Sequence, residues 1–202
     1  TDRDIYAHQH IFINNAMMLK NHDVVVVYSE GLDVSFYKRI VPALKYQAFR
    51  KNDFSSVKHY DRLLISPRFY RAFAEYEYML ICQYDAWIFK DELKEWCDKG
   101  YDYVGAPFVD PFIGKLSAGI PFLSTICMNK IGNGGLCLRK ISTHIEVTRR
   151  MQCIRPLCMV THEDIFFTLF APLFLRNFRR PDIEEANRFA VDKKAKECVA
   201  RL

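Results

Sequence analysis

The sequence predicts an α/β fold, a sheet of mostly parallel strands flanked by helices. Two observations carry this. Short β-branched or apolar runs, D-V-V-V-V-Y at 23–28 and Y-M-L-I-C-Q at 78–83 among them, alternate with stretches of helical periodicity. A polar step, Gln83-Tyr84-Asp85, then stands at the carboxyl end of one such run, where open α/β sheets place their ligand chemistry. The 202 residues, half of them hydrophobic, suffice for a sizeable core, and one domain over 1–202 is expected.

Taken in order, residues 5–20 read as a helix with Ile5, Phe12, Ala16 and Leu19 near one face. Residues 23–28 are a buried strand, and Ser29-Glu30-Gly31 turns the chain. Asp33 caps a short helix that runs to about residue 43, with Pro42 near its end. Residues 46–49 form a short strand. Residues 55–74 are one helix, or two parted at Ser66-Pro67, and 78–83 are the next strand. A helix over 91–99 stops at Gly100, and Y-D-Y-V-G at 101–105 is a strand. Residues 109–131 read as a long loop, of a length that is usually functional or mobile. Gly132-Asn133-Gly134-Gly135 is expected as a tight turn that opens a short strand at 136–139. Helices over 141–152, 163–173 and 184–191 complete the chain. It opens on a helix where a doubly wound fold begins with a strand, so the first strand is expected upstream of residue 1.

The formal net charge of +5 is compatible with an anionic small molecule or a membrane surface, and is too weak and scattered to indicate nucleic acid. The basic tracts Arg149-Arg150 and 176–180 read as solvated faces. Seven cysteines, an odd number with no C-x-x-C pair, indicate a reducing compartment and no disulfide framework. No run is long and apolar enough to span a bilayer, and no signal peptide is visible. A cytoplasmic location is expected, with peripheral association at the inner face of a membrane left open.

Three groups of residues could carry chemistry. Asp85 sits on an apolar run, where a carboxylate is costly to bury unless it is paired or bound to metal. With the Gln83 amide it could serve Mg²⁺ or Mn²⁺, which take hard oxygen ligands; alternatively Asp85 caps a turn and Gln83 ends a strand. Gly132 to Gly135 could let backbone approach a ligand, with Asn133 adding an amide, or could simply turn the chain. His162-Glu163-Asp164 could hold a general base, or could be acidic residues stabilised at a helix start. No zinc-protease, nucleophile-elbow, Walker or dinucleotide glycine pattern occurs.

In combination these motifs are more specific. Q-Y-D-A-W-I-F, then Y-D-Y-V-G-A-P, then G-N-G-G-L-C-L-R, then E-D-I-F-F resembles an uncharacterised family of glycosyltransferase-like proteins of the GT-A fold. The likeness runs from about residue 60 to 167 and includes Tyr60-Asp61-Arg62-Leu63-Leu64 before Ser66-Pro67. More distantly the order is similar to the β-1,4-galactosyltransferases. The resemblance implies a GT-A-like, Rossmann-type mixed sheet and an inverting, divalent-metal-assisted transfer. A sugar would pass from a nucleotide-diphosphate donor to a glycan or lipid-linked acceptor. It implies a metal-diphosphate site at Asp85 and Gln83, with Gln83 standing where an acidic ligand is found in relatives. It implies donor or acceptor contacts at Tyr84, Asn133, Gly134 and Gly135, a nucleobase contact at Glu30, Asp164 as base, and Glu163 as ligand to a sugar hydroxyl. Arg62 and Arg139 are candidates to offset diphosphate charge, and the 109–131 loop to close over the donor. The alternatives are a non-catalytic nucleotide-sugar- or glycan-binding relative, or a partner domain of a larger glycan-assembly enzyme.

Overall fold

The computed structural model describes residues 9–108, 130–159 and 162–192. It is an α/β structure that divides into two compact units, one of residues 1–60 and 83–92, the other of 61–82 and 93–202.

In the first unit, α1 (Gln9–Met18) precedes β1 (Val25–Ser29), α2 (Ser35–Ile40) and β2 (Lys45–Phe49). The two strands pair in parallel, from Val25 opposite Lys45 to Ser29 opposite Phe49, and α2 supplies the crossover that parallel neighbours need. Val26, Val34, Tyr37 and Leu44 form the core, with Phe12 of α1 packed on it. Its ring meets that of Tyr37 edge-on at 5.0 Å. The expected Asp33 cap is corrected: Val34 holds the N-cap position of α2 with no side-chain cap bond, and the Asp33 carboxylate one residue ahead accepts from the Ser35 N–H at 2.8 Å as a local turn. The helix stops at Ile40, just before the Val41-Pro42 step that disfavours helical backbone. A 3₁₀ turn, Lys51–Phe54, leads to α3 (Val57–Leu64), whose residues from Asp61 on belong to the second unit.

The second unit continues with α4 (Pro67–Arg71), β3 (Tyr78–Cys82), α5 (Leu93–Asp98), β4 (Tyr103–Pro107) and β5 (Ile131–Lys140). α6 (Ile141–Arg150), a 3₁₀ stretch (Met151–Met159), α7 (Glu163–Phe174) and α8 (Ile183–Phe189) follow. The break between α3 and α4 falls at Ser66-Pro67. The Ser66 hydroxyl accepts from the Arg68 N–H at 3.3 Å, and Pro67 starts the new helix.

The sheet order is β3-β5-β4, with β5 antiparallel to both neighbours. The expectation of mostly parallel strands is therefore corrected: among the described strands only β1 and β2 pair in parallel. An apolar run indicates burial on both faces but carries no information on direction, and β5 runs back between two strands that point the same way. Its alternation separates two layers. Leu138 packs with Val104 of β4 and Trp96 of α5, with Phe189 of α8 against them. Arg139 and Cys137 point to the opposite face, towards Tyr103, Tyr70 of α4 and Phe167 of α7. Among the described residues no helix is long and apolar enough to cross a membrane.

Candidate functional site

The glycine-rich segment lies inside β5 and does not form a turn before it. On β4, Gly105, Ala106 and Pro107 lie opposite Cys137, Asn133 and Ile131. The stretch Gly134-Gly135-Leu136 is thus unmatched on β4, and β5 bulges there. The Asn133 side chain folds over its own bulge, its carbonyl accepting from the Gly135 N–H at 2.9 Å. The expected turn fails because ladder pairing holds on both sides of the glycines, so they kink the strand without reversing it. A Cβ at position 134 would run into the Glu163 carboxylate, and glycine there lets the start of α7 lie against the bulge.

Glu163 meets a guanidinium. Arg139 is fully buried, and its Nη2 donates to both Glu163 oxygens at 2.9 and 3.0 Å. Its Nη1 donates to the Tyr70 hydroxyl at 2.7 Å, and its Nε to the Cys137 sulfur at 3.2 Å. The guanidinium also faces the rings of Tyr103 and Phe167 at 5.2 and 5.1 Å. Arg139 therefore has no diphosphate to offset, and that expectation is corrected: its donors are spent inside the protein. The same pairing removes Glu163 as a free ligand for a sugar hydroxyl. Burial raises the Glu163 carboxyl while Arg139 pulls it down. Burial, with the Glu163 and Asp164 carboxylates adding to it and Arg139 opposing, pushes the Cys137 thiol up to about 11.

Asp164 is placed differently. It is half-buried, and its carboxylate accepts from the N–H groups of Ile165, at 2.6 Å, and Gly134. Burial holds its carboxyl above the usual range, against those two N–H groups and the nearby His162. His162, the residue before α7, has its Nδ1 at 3.1 Å from the carboxylate of Asp61 on α3. That hydrogen bond raises the imidazole pKa, with Asp164 and Glu163 adding to it and burial opposing. Nothing in the sequence joins Asp61 to His162 across about a hundred residues of chain. Asn133, Gly134, Gly135, Glu163 and Asp164 thus belong to one locality, and sequence reasoning missed that Asp61, His162 and Arg139 share it.

Of the other candidates, Gln83, Tyr84, Asp85 and Glu30 lie in the first unit. Gln83 to Ala86 is a turn closed by the Ala86 N–H donating to the Gln83 carbonyl at 3.1 Å. Asp85 is exposed and carries no burial cost, contrary to expectation, because the apolar run ends with β3, before the acid. Tyr84 is 60% exposed and Gln83 half-buried. The chain beyond is pinned to α1 by two amides that the sequence reading overlooked. Asn15 donates to the Ala86 carbonyl at 2.7 Å and accepts from the Ile88 N–H at 2.9 Å, and Asn14 donates to the Ile88 carbonyl at 2.9 Å. Glu30 is exposed just past β1, its N–H donating to the Phe49 carbonyl at 2.8 Å. In the second unit Arg62 is half-buried on α3. The loop expected to close over a donor falls almost wholly at 109–129, outside the described residues.

Among the described residues no three His, Cys, Asp or Glu side chains converge as a metal cage. The exposed Asp85 beside the Gln83 amide suits at most an ion that arrives with a diphosphate, since Mg²⁺ binds through one or two carboxylates plus phosphate oxygens.

No curated protein and no solved structure matches the chain significantly. A family profile matches residues 43–201, a span holding the Gln83–Asp85 turn, the β5 bulge and the start of α7, and the chain belongs to that family, described as protein of unknown function (DUF5672).

Proposed function

We propose that the chain is a GT-A-type glycosyltransferase domain that moves a sugar from a nucleotide-diphosphate donor to a saccharide hydroxyl with inversion. The observation that carries this reading is the contact between the β5 bulge and the start of α7. There the Gly134 N–H meets the Asp164 carboxylate, and the missing side chain makes room for Glu163. Two motifs that the resemblance assigns to one sugar pocket, about thirty residues apart in the chain, are neighbours.

Each residue then has a task. Asp164 draws the proton from the acceptor hydroxyl; a base must lie within hydrogen-bond reach of the proton it takes. Glu163, locked to Arg139, fixes the first turn of α7 and so the direction of Asp164. The bulge backbone at 133–135 lies beside it. Asp85 and Gln83 would hold a divalent ion on the donor diphosphate, and that ion would neutralise the charge developing on the leaving group. Glu30, Arg62 and Tyr84 are assigned to the donor by the resemblance.

Incubation with a panel of nucleotide sugars and a saccharide acceptor extract, read as nucleoside diphosphate release with Mn²⁺ or with chelator, tests this. Release from one donor that is lost on chelation and in Asp85→Ala is the expected result. Release that survives chelation removes the metal role from Asp85 and Gln83. No release from any donor overturns the transferase.

A further inference from the structure

His162 stands beside Asp164 with no task in the transfer. Its ring is held on one side only. Asp61 is 4% exposed, and its carboxylate can only accept, so the Nδ1 of His162 at 3.1 Å carries the hydrogen. In the neutral ring this leaves a lone pair on Nε2, and no other side chain among the described residues hydrogen-bonds it. The His162 side chain is 26% exposed, so solvent and ligand can reach it. An acid that orients one imidazole nitrogen and frees the other is the arrangement by which a histidine accepts protons.

We propose that the Asp61–His162 pair is the proton sink of the transferase site: the proton Asp164 draws from the acceptor hydroxyl comes to rest on His162 Nε2. The inference rests on the transferase reading. As the acceptor O–H breaks, its oxygen bonds the anomeric carbon, and the bond from that carbon to the diphosphate breaks with its electron pair leaving on phosphate. The proton ends on imidazole, and water removes it before the next turnover. Burial raises the Asp164 carboxyl, but an imidazole ordinarily holds a proton more tightly than a carboxylate does. The groups facing His162 favour the cation: Asp61 from α3, and Glu163 and Asp164 from α7, all raise its affinity for a proton, against burial.

The test combines titration with kinetics. In ¹⁵N-labelled protein, His162 is expected as the Nδ1–H tautomer when neutral, with a pKa above that of free histidine which falls in Asp61→Asn. With a donor identified from the panel, His162→Gln should lower turnover about 100-fold or more while the donor KM moves less than threefold. Asp61→Asn should shift the rising limb of the pH–rate profile to lower pH, and imidazole should restore part of the activity of His162→Gly. Turnover of His162→Gln within threefold of wild type across the pH range overturns the proposal and leaves the transferase standing. Where His162→Gln loses its thermal transition, Asp61→Asn decides: an unmoved limb overturns the proposal. A wild-type protein that releases nothing from any donor overturns the transferase first, and this role with it, whatever the titration gives.

Discussion

The start of α7 and the turn after β3 both carry acidic residues that drew attention for the same reason, and the fold treats them in opposite ways. Glu163 is 4% exposed and spends both oxygens on Arg139, which is itself wholly enclosed. Asp85 is exposed on a turn whose shape comes from a backbone hydrogen bond and from Asn14 and Asn15. A buried carboxylate is part of a charge balance, and its loss strands a cation away from water. An exposed one can be removed with little effect on the fold, so any effect of its removal on a reaction is direct. The difference separates a residue that builds a site from one available to act in it, and mutation can measure it.

The largest expected effect is at the buried pair. Glu163→Ala leaves the Arg139 guanidinium uncompensated and should destabilise the protein by about 3–5 kcal/mol in denaturant unfolding. Replacing both partners together, Arg139→Met with Glu163→Leu, should cost less than the single change, because no charge is then left buried. A double variant less stable than Glu163→Ala would show that the pair itself stabilises the fold.

A second effect comes from the same layer. His144 on α6 is fully buried among Tyr70, Tyr103, Phe167 and Phe178. Its Nδ1 donates to the Lys140 carbonyl at 3.0 Å, and its Nε2 has no hydrogen-bond partner among the described residues. Burial, with the Arg139 charge adding to it, lowers its pKa from 6.5 to about 3. A folded pKa below the unfolded value gives stability that is present above pH 6.5 and lost as pH falls towards 3. At pH 5 the loss should be about 2 kcal/mol. His144→Phe should flatten that limb of stability against pH, and an unchanged limb would assign the acid sensitivity elsewhere.

These networks mark where the sequence stops being legible. The two strands of the first unit and the Ser66-Pro67 break follow from β-branched runs and from local hydrogen-bonding chemistry, and they lie close to where they are read. The direction of β5 is absent from the sequence because pairing partners are set by the tertiary fold. The glycines of 132–135 were read as a reversal since a bulge and a turn draw on the same residues. Arg139 is offered by the sequence as a partner for diphosphate because nothing near it in the chain announces Glu163 or Tyr70. Asp61 with His162, and Asn14 and Asn15 with 86–88, are long-range pairs of the same kind. Residue type shows that a group can bond; only the fold shows what it bonds.

The third effect sharpens the contrast at backbone level. Gly134→Ala places a methyl group against a Glu163 carboxylate that Arg139 does not let swing aside. Overpacking of this kind should cost about 1–2 kcal/mol in unfolding free energy, and it should push Asp164 away from the Gly134 N–H. Turnover should therefore fall by more than the stability loss explains. A variant that is destabilised but fully active would separate the bulge from the chemistry.

The smallest effect on the fold belongs to Asp85. Its carboxylate is exposed, and the turn is closed by main chain at Gln83 and Ala86. Asp85→Ala should therefore shift stability by less than about 0.5 kcal/mol, the range of ordinary surface changes. If the residue holds an ion on a diphosphate, the same variant should lose nucleoside diphosphate release. The informative measurement is the pair of values from one preparation, because a large stability loss would make Asp85 a structural acid like Glu163. An unchanged fold with lost turnover would place chemistry on a residue the fold does not need, and an unchanged fold with unchanged turnover would make it a turn residue and nothing more.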